Sequence, residues 1–342
     1  MRIFLAATIG ALLAVSLLMY VDPADPYVHA QTNVRGIPFH GFFPFVTVQG
    51  DAFFVDSGHA NASDNNDCRS PNTPCSSIEG TFNKGELTAS NGEIVIVMQG
   101  HVETVSAAAG LDLDVAGVTL IGLGEGNNRP QINFTTAVGA DMDVDAANIT
   151  MYNFRFTGGI DALTGPIDVN AARFSLHNSL WEDSTGQVVD CIFADANADE
   201  MTISSLVPGR YGWKHLGSAS AGTQSAIQVI GASNVIIQDF WIKGNLAIGG
   251  IENVTTAMVD YTIGGGIMPW YIQTLHANDI VIANVSTATG AIIGPGHARL
   301  KDDASNITEA IQLGDGGLFQ PVSIVNADSQ SSIDSNITAS AD

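Results

Sequence analysis

Two short stretches gather acidic side chains at strand-like spacing. "LDLDV" carries Asp112 and Asp114, and "ADMDVDA" carries Asp141, Asp143 and Asp145. Alternation puts each set on one face of an extended segment. Carboxylates on one face can chelate calcium, a hard ion that takes oxygen ligands, and Asp141, Asp143 and Asp145 are the candidates. Two carboxylates at roughly 5–9 Å could also flank a glycosidic bond and cleave it. An acidic, solvated strand face accounts for the same residues in a chain with 35 Asp and Glu, and it is the simpler reading. No catalytic residue is assigned, and no cofactor is required beyond a possible calcium ion.

Other chemistry-bearing residues are sparser. Asp302–Asp303 in "KDDASN" is an adjacent acidic pair with no further hydrolase motif beside it. The Gly-His dipeptides at His59, His101 and His297 read as turns, since no carboxylate or nucleophile is placed beside them by spacing. A lyase would need a strong base, and Arg155, Arg173, Arg210, Lys214 and Lys243 are few and scattered. "GRYGWKHLG" differs: it clusters Arg210, Tyr211, Trp213, Lys214 and His215 in an aromatic-poor chain. Such rings stack on sugars or pack in interfaces, so these five are candidates for contact with a glycan or an acidic partner. A loop excursion packed on the body is the alternative.

These residues sit in a chain of 342 with 12 Lys and Arg, a formal charge of −23, 36 Gly and only 14% charged residues. Such a body excludes nucleic acid, whose binding rests on cations neutralising phosphates, and repels polyanionic sugars until salt screens it. Abundant Gly with short apolar alternation favours an all-β protein. Cys68 and Cys75 in "DCRSPNTPC" can form a local disulfide in an oxidising compartment or remain two thiols in a reducing one. Cys191 reads as a small buried apolar residue.

Residues 1–30 open with one Arg and an apolar run from Ile3 to Met19, the pattern of an export signal or, if retained, an anchor. A membrane contact is expected only through that segment. Residues 31–50 hold Phe39, Phe42, Phe43 and Phe45 among Pro and Gly, which suits an interface arm or a cap over one end of a core. Residues 51–342 form the main domain.

That domain repeats itself. A Gly, Asn, Arg or Asp starts each copy at Gly117, Asn148, Arg173, Asn234 and Asp279, with apolar residues one and three positions on. Five positions on stands another corner residue: Gly122, Asn153, Asn178, Asp239 and Asn284, and a degraded copy starts at Asn253. The separations run 31, 25, 61, 19 and 26 residues, and the long gap would hold two coils, or one coil plus an excursion. If each copy is a turn of a coil, strands stack in parallel and Asn or Gly takes the left-handed bend at each corner. Stacked Asn side chains can then bond along the stack. The expected fold is a right-handed parallel β-helix, all-β, with a hydrophobic leader and an N-terminal capping segment. A β-sandwich would need hairpin turns, which are not found.

The segment "FFVDSGHANASDNNDCRSPNTPCSSIEGTFNKG" resembles the opening of pectate-lyase-like β-helix proteins. Its continuation, "GEIVIVMQGHVETVSAAAGLDLDVAGVTLIGLGEGNNRPQINF", resembles the first coils of virion-associated β-helix proteins of environmental tailed phages. Cys68 stands where that resemblance leads one to expect Gly. It implies a non-enzymatic structural protein of a virion or cell surface, in a decoration, spike or adhesion role. The expected partners are copies of the same chain, as a trimer, other virion or surface proteins, and a glycan. A secreted polysaccharide lyase or glycoside hydrolase is the alternative.

Overall fold

The computed structural model describes residues 50–182, 188–204, 213–214, 225–244, 246–253, 259–264, 266, 268–274, 282–283 and 292–300. Four further strands are described, 311–313, 318–319, 322–326 and 337–339, and residues 48–342 make up one compact unit. The leader, the arm with Phe39, Phe42, Phe43 and Phe45, and Asp302–Asp303 lie outside the described residues. Among the described residues no helix is long and apolar enough to cross a membrane.

The chain winds as a parallel β-helix. One turn runs through Ile94–Val97, then Val102–Val105, then Leu111–Asp112, and each piece pairs in parallel with its counterpart one turn later. Repetition builds a first sheet of ten strands and a second and third of nine each. Each strand is only two to five residues long, because a corner follows at once. Within a strand, alternate residues enter the tube. Leu120, Met151, Leu176, Ile203, Ile237 and Ile263 form one such inward column, all buried. Thr119, Thr150, Ser175, Thr202 and Ile236 stack in register on the outer face of the same sheet.

The corners obey the left-handed geometry. Asn148, Arg173, Asn234, Asn153, Asn178 and Asp239 all have φ between 48° and 68°. Asn178 Nδ2 donates to Asn153 Oδ1 at 3.0 Å, and Asn153 Nδ2 donates to the Gly122 and Gly124 carbonyls at 2.8 and 2.9 Å. Gly122 opens that corner column, where a Cβ would lie 2.6 Å from the Asn153 carbonyl. The starting corners are tied as well, with Arg173 Nε donating to Asn148 Oδ1 at 2.6 Å.

The repeat differs from the sequence reading in its later copies. A missed turn starts at Glu200, with φ 60° and Met201 and Ile203 inside, and fills the long gap. Asn253 ends the strand Gly249–Asn253 of the third sheet; the true corner there is Asp260, with φ 53°. The copy at Asp279 likewise feeds Ile282–Ala283 of the third sheet, not the first. Apolar alternation marks every strand of a coil, so it cannot say which of three sheets a strand joins.

One end of the tube is closed by Ile78–Phe82, a short helix labelled α1, whose Ile78 and Phe82 join the core. Ser77 caps it by accepting from Gly80 N at 2.8 Å. Asp64 accepts from Ser76 N, Ser77 N and Ser77 Oγ; burial raises its pKa, but these bonds outweigh that and hold it below the ordinary value. Cys68 and Cys75 form a disulfide, with Cα atoms 5.1 Å apart. Cys68 has φ 59°, the conformation for which Gly is the ready residue. Cys191 is buried.

Candidate functional site

The acidic stretches form one column. The strands Leu111–Asp112, Met142–Val144 and Ile167–Val169 are neighbours in the third sheet, in the register Asp112↔Asp143↔Asp168. Leu111, Met142, Ile167, Val144 and Val169 are buried in the tube, which turns the three aspartates outward. Stacked strands lie about 4.8 Å apart, so each carboxylate meets another one rung away. One oxygen of each, Oδ1, is enclosed without a hydrogen-bond partner.

More acids crowd the column. Asp141 accepts from Ala109 N, Asp145 accepts from Asn170 Nδ2 at 3.1 Å, and Glu79 of α1 accepts from Asp112 N at 2.7 Å. Burial first, then these like charges, raise the pKa of Asp112 and Asp141 and push Asp143 to about 7 and Asp168 to about 6. Near neutral pH the column therefore keeps protons that isolated aspartates would lose. A protonated carboxyl one rung from an ionised one has the acid and base that glycoside hydrolysis needs, at about the 5 Å separation of retaining enzymes.

Asp168 was missed by the sequence reading, although a signal exists. Asp112, Asp143 and Asp168 are separated by 31 and 25 residues, the same steps as the corners Gly117, Asn148 and Arg173. The calcium reading of Asp141, Asp143 and Asp145 fares differently. Asp143 lies on the strand with the other two beyond its ends, and among the described residues no group of three or more such side chains is arranged to hold a metal ion.

A second acidic set lies deeper along the third sheet. Asp190 accepts from Ser225 N at 3.1 Å, and Glu252 Oε2 accepts from Ser225 Oγ at 2.7 Å and Gln228 Nε2 at 3.1 Å. Asp190 is 4% exposed, and burial, then Glu252, pushes its pKa to about 7.

The histidines correct the sequence reading. His101 is fully buried: its Nδ1 accepts from Ser57 N at 3.0 Å, and its Nε2 lies 2.9 Å from Glu103 Oε2. Glu103 also accepts from Ile78 N at 2.8 Å, so the pair joins the first turn to α1. The carboxylate partner sits two residues away, where strand geometry had not been expected. His297 lies in the strand Gly296–Leu300 rather than in a turn, and is exposed. His59 does sit in a turn, accepting from Asn61 N at 3.1 Å.

"GRYGWKHLG" is not wholly an excursion. Trp213–Lys214 is a strand of the second sheet, in register with Trp181 and Glu182 before it and Ile242 and Lys243 after it. Arg210, Tyr211 and His215 lie outside the described residues. Of the five cations, Arg155, Lys214 and Lys243 belong to second-sheet strands, and Arg173 stands at a corner beside the first sheet.

No family model matches the sequence, and no curated protein matches it. The fold is similar to a solved structure described as a rhamnogalacturonan lyase. The two share 12% identity over 79% of this chain and 73% of that one, with a TM-score of 0.41.

Proposed function

We propose that this β-helix is a non-enzymatic structural protein of a virion or cell surface, a decoration, spike or adhesion element that works by binding and self-associates as a trimer. The observation that carries the reading is the use made of the polar side chains. Asn153, Asn178, Asn148 and Arg173 tie one turn to the next, and His101 with Glu103 is sealed inside the capped end. Groups committed to holding neighbouring turns stiffen a rod, whereas catalysis needs them converging on a reacting atom. The test is the mass of the purified chain by light scattering, together with its fractionation from the native source. A trimer that travels with particles or envelope supports the reading. A monomer found only in the free soluble fraction overturns it.

A second reading, a secreted glycan-cleaving enzyme, is favoured by one observation: Asp143 and Asp168 keep their protons to a higher pH than ordinary aspartates, beside other carboxylates. It requires products from a panel of polysaccharides between pH 5 and 8, with and without chelator. Asp143→Asn must abolish them. A blank panel removes this reading.

A further inference from the structure

The three sheets divide the charge unequally. The ten described strands of the first contain no Asp, Glu, Lys or Arg. Those of the third carry Asp112, Asp143, Asp168, Asp190 and Glu252, and those of the second carry both signs. His177 is the one residue of the first-sheet strands that could turn positive, and burial holds its pKa below the ordinary value, so it is neutral at physiological pH. In a chain of charge −23, one sheet of the rod is thus free of charge along its strands.

Register arranges what that sheet presents. Its outer column runs Thr202, Ile236, Thr262, Ile292 over four successive rungs, about 4.8 Å apart. The next residue in each strand, Ile203, Ile237, Ile263 or Ile293, is buried in the tube, which turns the column outward. Ile236 and Ile292 are each 38% exposed. Val259, just before the corner Asp260 on the rung between them, is 42% exposed. Hydroxyl and open isoleucine rungs therefore alternate.

From this placement we infer that the outer face of the first sheet lines the three-fold axis of a trimer, where it meets the same face of two further copies of this chain. Rotation about an axis parallel to the rod moves nothing along it, so a residue beside that axis meets its own equivalents at the same height. A carboxylate there would stand against two identical carboxylates. An uncharged strip escapes that repulsion, and of the three sheets the first supplies one. Ile236 and Ile292 close into apolar layers, burying side chains otherwise open to water. The hydroxyls of Thr202 and Thr262, on alternate rungs, can each donate to one copy and accept from the other. A second copy also matches the rung period residue for residue, which a surface of other build does not. Elsewhere on the rod, two chains of charge −23 would bring acids together. The inference rests on the trimeric reading proposed above and names the face that makes the trimer.

The test compares the full chain with two pairs of variants at physiological salt. Ile236→Glu sets three carboxylates together on the axis and should raise the concentration needed for trimer formation by about tenfold or more, read by light scattering. Val138→Glu makes the same change at a residue 53% exposed between the second and third sheets, and should leave the mass unchanged. A short bismaleimide should join Ile236→Cys to its own copy as a covalent dimer, since its thiols face one another, while Val138→Cys and the parent, whose free Cys191 is buried, stay single chains. Should Ile236→Glu fail to fold by circular dichroism, the cross-link decides alone. A trimeric parent that gives no dimer from Ile236→Cys, or as much from Val138→Cys, overturns this inference and leaves the structural role standing. So does equal weakening by the two glutamate variants, or none by Ile236→Glu. A parent of any mass other than a trimer's overturns the trimeric reading itself, and this inference with it.

Discussion

Asp143 offers the sharpest test of the acidic column. Its carboxyl sits at about 7 in the fold against an ordinary value of 3.8, through burial and then through Asp141, Asp168, Asp145 and Asp112. Between those two values the unfolded chain has released the proton and the folded chain has kept it. Stability therefore falls as pH rises from about 4 to about 7 and levels off above. A gap of about three pH units would be worth about 4 kcal/mol for an enclosed group. Asp143 is partly open to water, and screening brings the effect to about 1–2 kcal/mol. Asp143→Asn carries no charge in either state and removes the penalty. Urea unfolding at pH 4, 6 and 8 should show the variant level with the parent at pH 4 and more stable by about 1–2 kcal/mol at pH 8. A variant that is less stable at pH 8, or that keeps the parent's pH slope, refutes the account of a strained carboxylate stack.

Three further outcomes follow from the corners and the cap. Asn153→Ala loses the bonds to Gly122, Gly124 and Asn178 and leaves at φ 68° a residue that tolerates the left-handed region less well than asparagine, costing about 2–4 kcal/mol in urea unfolding; Asn153→Gly, free of the backbone strain, should cost about 1 kcal/mol less. Cys75→Ser, or reduction of the parent, should lower stability by about 2–3 kcal/mol, the loop-closure value for a seven-residue separation, and reduction should add nothing in the variant. His101→Ala strips Glu103 of a buried partner and should cost about 3 kcal/mol or more, with His101→Gln recovering part of it.

How far the sequence announces this molecule depends on what a residue is asked to do. Asn148, Asn153 and Asn178 are legible because a left-handed corner admits few residue types, and they recur wherever the coil bends. Strand membership is less legible: Asn253 and Asp279 head apolar alternations as good as those of the first sheet, yet their strands belong to the third. The acidic column was half visible. Alternation gave Asp141, Asp143 and Asp145, but Asp168 becomes a neighbour only once the register is known. The His101–Glu103 pair was hidden because its meaning depends on Ser57 and Ile78, which are 44 and 23 residues from His101 in the chain. The pairing of Lys214 with Lys243 was hidden for the same reason: the two look isolated in a line of text and are register neighbours only on the coil.

The capped end has a bearing on how the molecule comes into being. The disulfide, α1 and the His101–Glu103 pair gather residues 57 to 103, the first strands of the first turn among them, into a small closed unit. Each later turn has a ready-made edge to stack on, so the closed end can act as a seed for the turns that follow it. Shortening the chain by whole turns from its far end should then leave a shorter rod, while deleting the seed should leave nothing for the remainder to start from.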